Sequence, residues 1–185
     1  MSSTAFPGFS GPAASTEAPL EMLAACHVRI ERYCATLSRL SGHALEQGSD
    51  ADAQRAAAGI IRYFDTAAVL HHADEEEDLF PALLESMAGS DAVCIRELTS
   101  ALSAEHRLLE SAWRTLRASL QRIAAGKPAL LPDAAVITFT STYARHMRIE
   151  EDEVLPMAAR LLSDHDIDRI GRAMRKRRGI SDDLI

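Results

Sequence analysis

Leu20, Leu23, His27, Ile30, Cys34 and Leu37 follow one another at steps of three and four residues, the spacing that keeps side chains on one face of an α-helix. The pattern returns three times: in Ile60, Phe64, Ala68, His71, Glu75 and Leu79; in Ile95, Leu98, Leu102, His106, Leu109, Trp113, Leu116, Leu120 and Ile123; and in Val136, Phe139, Tyr143, His146, Glu150, Val154 and Met157. Four amphipathic helices can hide such stripes from water only by turning them toward one another. Each stripe carries one histidine, and two of them add a glutamate four residues later. Four imidazoles and two carboxylates are thereby directed into one interior.

The residues between the stripes set the boundaries. Pro19 suits a first helical turn and Gly42 offers a stop after Ser41, which predicts a first helix over 19–41. Ser49 or Asp50 can cap a second helix that reaches Phe80 before Pro81 interrupts it, with continuation open as far as Met87. A third follows the Gly89-Ser90-Asp91 turn and ends at Gly126; a fourth starts after Pro132 with Asp133 as its cap and runs toward Leu162, bent at Pro156. Asp166 to Arg178 reads as a short fifth helix. Long helices joined by connections of under about ten residues are antiparallel neighbours. The expected fold is thus all-α: an up-down-up-down antiparallel four-helix bundle with a short C-terminal fifth helix. Residues 1–18, rich in Ser, Ala, Pro and Gly, read as a flexible N-terminal arm, or through Phe6 and Phe9 as a strap over the bundle. Residues 19–178 form the bundle domain, and 179–185 a C-terminal tail.

The chain has 185 residues, 47% of them hydrophobic, which suffices for one domain with a real core. A net charge of -7 argues against nucleic acid or an anionic membrane as the main partner. The first residues lack a basic segment followed by an unbroken apolar one, and no later stretch has the apolar length of a membrane span, so a cytoplasmic location is expected. Cys26, Cys34 and Cys94 are odd in number, and the first two are too far apart on one helix to bridge, so no disulfide framework is expected. Cys26 and Cys34 read as core residues, as does Trp113. His72 points about 100° from His71, toward the surface or a supporting position. His43 and His165 lie at helix boundaries and read as exposed, and the Arg175-Lys176-Arg177-Arg178 run reads as cations complementing a helix C-terminus.

The chemistry follows from the spacing. Residues four apart on a helix differ by about 40° and can reach one ion from one face. His71 with Glu75 and His146 with Glu150 are such pairs, whereas Glu76 and Glu151 lie about 140° from the same histidines and are weaker candidates. Inward carboxylates left unpaired in an apolar core would each cost several kcal/mol, which a bound metal removes. Imidazole and carboxylate donors without thiolates suit iron or manganese and also accept zinc. The segment His71 to Pro81 aligns without a gap on His146 to Pro156, and His27 and His106 precede the two copies at similar distances. Each copy then offers one histidine on its first helix and His-x-x-x-Glu on its second, and two such halves facing across a bundle axis make one dinuclear centre.

On these residues, His27, His71 to Pro81, His106 and His146 to Pro156, the chain resembles the hemerythrin-like, or HHE cation-binding, family over about residues 19 to 162. The resemblance implies a centre of two non-haem iron ions, with zinc or manganese as substitutes, ligated by His27, His71, Glu75, His106, His146 and Glu150. It departs from the oxygen-carrying members, which place two histidines four residues apart on the third helix; here the neighbours of His106 at that spacing are Leu102 and Glu110. A site richer in carboxylate favours ferric iron, so the expected role is binding or sensing oxygen, nitric oxide, or iron and redox state. The alternative is a di-iron enzyme acting on peroxide or supplying iron for iron-sulfur cluster repair. The expected partner is a small diatomic or peroxide ligand, with pairing into a homodimer left open. Glu31, Glu76, Glu110 and Glu151 stand as reserve ligands.

Overall fold

The computed structural model describes residues 16–87 and 91–180, with backbone alone at 91 and 92. The expectations for most of the N-terminal arm, including Phe6 and Phe9, for the Gly89-Ser90 turn and for most of the C-terminal tail fall outside the described residues. Within them the chain is helical throughout, without a strand. Helix α1 spans Pro19–Gln47, α2 Ala51–Asp65, α3 Ala67–Asp74 and α4 Phe80–Ser86. Helix α5 spans Asp91–Ala124, α6 Asp133–Ile149, α7 Leu155–Leu161 and α8 Asp164–Arg177. Two π-helical turns, Glu75–Leu79 and Glu150–Val154, join α3 to α4 and α6 to α7.

Several boundaries differ from those expected. The first helix runs past Gly42, beside which a Cβ would meet nothing, and ends where Gly48 adopts φ 70°. A glycine in a helix interior costs only about 1 kcal/mol, whereas a left-handed residue ends the helix outright. Asp50 is the cap of α2, accepting from Ala53 N at 2.8 Å. The second helix breaks at Thr66, which has φ −130° and ψ −75° and whose hydroxyl donates to Arg62 O, so the backbone loses its regular ladder there. At the fourth helix Pro132 takes the cap position, and the Asp133 carboxylate instead accepts from Ser41 Oγ at 2.8 Å. Helix α8 begins two residues before Asp166, at a capping box formed by Ser163 and Asp166.

Pro81 and Pro156 do not end their helices. Proline has no N–H to give the carbonyl four residues back, and its ring crowds that carbonyl. Here each proline is preceded by a π turn, in which Phe80 N donates to Glu75 O and Leu155 N to Glu150 O, five residues back. The wider turn lets the helix resume beyond each proline, and it begins at a glutamate in both copies.

Helix α1 packs on α2 and α6, and α5 packs on the same two. Ser41 Oγ donates to Leu131 O at 3.2 Å, tying the end of α1 to the start of α6, and Ser49 Oγ donates to Lys127 O at 2.8 Å, tying the start of α2 to the end of α5. Two apolar clusters fill the interior. One gathers Ile30, Leu37, Phe64, Leu109, Trp113, Leu116, Phe139 and Tyr143; the other gathers Leu23, Leu79, Phe80, Leu83, Leu102, Val154, Ile170 and Met174. On every long helix the change from one cluster to the other falls at the inward histidine, so a polar layer lies between two apolar ones. Helix α8 covers the site end by packing on α1, α3 and the first π turn. Its Gly171 permits a close approach: a Cβ there would lie 2.4 Å from Thr16 O.

Candidate metal centre

His27 from α1, His71 from α3, His106 from α5 and His146 from α6 converge with Glu75 and Glu150, the first residues of the two π turns. All six are at most 2% exposed. They fall into two sets that share both glutamates, His27 and His71 in one and His106 and His146 in the other, with the donor atoms of each set within 4.8 Å of one another. The sharing crosses the internal repeat. The Glu150 carboxylate reaches His146 Nε2 at 3.0 Å and His27 Nε2 at 3.2 Å; the Glu75 carboxylate reaches His71 Nε2 at 3.2 Å and His106 Nε2 at 3.4 Å. Each glutamate thus faces one histidine of its own copy and one of the other.

Three histidines are backed at their outer nitrogen by a carboxylate. His27 Nδ1 lies 3.0 Å from Glu151 Oε1, His106 Nδ1 2.6 Å from Glu76 Oε1, and His146 Nδ1 3.2 Å from Glu105 Oε2. An ionised carboxylate only accepts, so Nδ1 must donate and Nε2 is left as the inward base. The consequence is sharpest between His106 and His146, whose Nε2 atoms are 2.9 Å apart. Two lone pairs at that distance repel unless a positive charge lies between them. His27 Nε2, both nitrogens of His71, Glu75 Oε2 and both oxygens of Glu150 are buried without a hydrogen-bond partner. Orphans of this kind are rare in folded proteins. A donor set of four imidazoles and two carboxylates, buried and unsatisfied, fits metal ions.

The electrostatics agree. Burial works against a charge on His27 and on His146, yet the adjoining Glu150 carboxylate outweighs it and raises both pKa values. Glu150 is held well below the usual carboxylate range, its burial outweighed by His146 and His27. Burial, then the charge of Glu150, pushes Glu75 well above that range. His71 is pushed down to about 3 by burial and by the charge of His27. Burial thus opposes charge on Glu75 and on His71.

The reserve ligands have other places. Glu76 and Glu151 are the outer partners of His106 and His27, Glu110 pairs with Arg107 at 2.9 Å, and Glu31 is exposed. Glu105 was not legible: it precedes His106 by one residue, and only the packing of α5 against α6 aims it at His146. His72 is buried at 8% exposure, so the surface alternative is overturned; its ring stacks on His106 at 3.9 Å and its Nε2 lies 3.3 Å from Tyr143 Oη. With Glu76 and Arg107 it lines a surface pocket of about 220 Å³. His43 is half-buried against Asp50, with Nε2 at 3.0 Å from Oδ1, while His165 is exposed as expected.

The basic run does more than complement a helix end. Arg177 bonds Asp74 at 2.5 Å and Glu77 and Asp78 at 2.8 Å, and Arg178 bonds Asp74 at 2.5 Å. Asp74, fully buried and directly before Glu75, is thereby clamped to α8. Cys26 and Cys34 are buried free thiols, and burial pushes Cys34 up to about 12. Trp113 packs in the core while its Nε1 donates to Asp65 Oδ1 at 2.9 Å. No helix among the described residues is long and apolar enough to cross a membrane.

Comparison with known proteins places these features in a family. The profile described as hemerythrin HHE cation binding domain matches residues 18–158, a span that contains all six converging side chains. An uncharacterized protein of Haemophilus influenzae (strain ATCC 51907 / DSM 11121 / KW20 / Rd) is 30% identical over 164 residues, covering 89% of this chain and 92% of that relative.

Proposed function

The chain belongs to the hemerythrin HHE cation-binding domain family, and on that premise we propose that it is a non-haem di-iron protein that binds or senses oxygen, nitric oxide, or iron and redox state. His27 and His71 would hold one ion and His106 and His146 the other, with Glu75 and Glu150 within reach of both, on an up-down-up-down antiparallel bundle of residues 19–178. The observation that carries the reading is the 2.9 Å approach of the His106 and His146 Nε2 atoms while both outer nitrogens are committed to carboxylates. Iron bound there would supply a redox couple and a Lewis-acidic centre for a small ligand. The chain's own contribution is to exclude bulk water through the two apolar clusters, to hold the imidazoles of His27, His106 and His146 with their bases inward, and to leave a surface pocket lined by His72 and Glu76.

The test is metal content together with the ultraviolet-visible spectrum of protein expressed in iron-rich medium, beside His71→Ala and His146→Ala. Two irons per chain with an oxo-bridge charge-transfer band, lost in both variants, is the expected result. A colourless wild type that cannot be loaded with iron refutes it.

A further inference from the structure

Of the four converging histidines, His27, His106 and His146 each have a carboxylate on Nδ1, and His71 has none. Among the described residues its Nδ1 is buried without a partner, and the aromatic rings it meets are His27, edge-on at 5.0 Å, and His72, tilted at 5.8 Å. A carboxylate behind a ligating imidazole fixes the tautomer and the ring orientation and makes the inward nitrogen a stronger donor. The two sets of donors share the same two glutamates, so any difference between them arises from the histidines and what stands behind them.

From this asymmetry we infer that the two ions are held unequally: the His106 and His146 side binds the tighter ion, and the His27 and His71 side the weaker, exchangeable one. Glu76, Glu105 and Glu151 are then positioning residues, which touch no ion and act through the histidine each one orients. The inference rests on the dinuclear reading above. It extends that reading by assigning an order of filling, with the ion of the His71 half the first to be lost.

The geometry behind each carboxylate supports the ranking. Glu76 and Glu105 are themselves anchored by cations, Glu76 by Arg107 and Glu105 by Arg145 at 2.8 Å, so both carboxylates behind the tighter half are held in place. The Glu151 side chain is 51% exposed. The half containing His71 thus has one histidine without an outer partner and one whose partner is in solvent.

The experiment is an anaerobic titration of the metal-free full-length protein with Co²⁺, followed by calorimetry and by the cobalt absorption bands. Loss of a second-sphere partner typically costs about 10- to 100-fold in metal affinity, so wild type should fill in two one-ion steps separated by about that ratio. Glu105→Gln should weaken the tighter step and Glu151→Gln the weaker one, each by about tenfold. His71→Ala should remove the weaker step and leave the tighter. Metal-free melting temperatures of the variants that match wild type separate loss of orientation from loss of fold, and the wild-type titration stands without any variant. Two ions entering in one unresolved step, or Glu105→Gln acting on the weaker ion, overturns the inequality and leaves the dinuclear centre intact. No cobalt bound at all overturns both.

Discussion

Removing the metal should lower the melting temperature of this protein by an amount that can be worked from its unsatisfied atoms. Six buried nitrogen and oxygen atoms at the centre have no hydrogen-bond partner. At about 1–3 kcal/mol for each orphaned polar group, their gross cost is about 6–18 kcal/mol, as large as the roughly 5–15 kcal/mol by which a whole domain is stable. The metal-free chain therefore has to take up protons or water in the pocket, and the stabilisation that metal adds is set by its occupancy. At a free ion concentration about a thousand times Kd, linkage gives about 4 kcal/mol. For a domain of about this size one kcal/mol moves Tm by about 2–4 °C, so the expected shift is about 8–16 °C. The assay is differential scanning calorimetry of the iron-loaded protein before and after exhaustive chelation, with metal content measured on the same samples. A sample shown to be free of metal whose Tm lies within a degree or two of the loaded one would refute the argument that these atoms need a cation.

Other consequences concern the frame around the centre. Replacing both Arg177 and Arg178 by Ala leaves Asp74 buried and unpaired, which should cost about 3–5 kcal/mol in urea unfolding; a loss under 1 kcal/mol would mean that α8 does not hold the π turn. Gly171→Ala puts a Cβ 2.4 Å from Thr16 O and should destabilise by about 1–3 kcal/mol, whereas Gly42→Ala, with open space beside it, should be neutral or stabilising in the same thermal melts. The hydrogen bond from Arg117 lowers the Asp65 pKa below its usual 3.8, burial opposes this, and the Trp113 indole adds to the lowering. A depressed carboxylate stabilises the fold above its unfolded pKa and loses that contribution as pH falls through the folded one. Fluorescence of Trp113, the single tryptophan, should accordingly report a step below pH 3.8 that Asp65→Asn abolishes; a step centred above that pH would contradict the pairing.

The stripes fixed a great deal before any coordinates. His27, His71, Glu75, His106, His146 and Glu150 were marked by helical periodicity alone, because a 3.6-residue repeat decides which side chains share a face and an apolar face must turn inward. The all-helical class, Cys34 and Trp113 follow from the same rule, whereas Cys26 reads as core because free cysteine is commonly buried. Periodicity says nothing about how far one helix slides or rotates against its neighbour. That relative placement made Glu75 face His106 and Glu150 face His27, so that each carboxylate serves both copies of the repeat. It also brought Glu105 behind His146, turned Glu76 and Glu151 from reserve ligands into partners of His106 and His27, and left His71 with none. The two prolines were visible as interruptions, but the outcome depended on a competition among backbone hydrogen bonds that packing resolved as π turns starting at Glu75 and Glu150. Arg177 and Arg178 read as the end of a helix until α8 folded back onto Asp74. A helix carries its own face in its sequence; which atoms of another helix that face meets is decided only when both are packed.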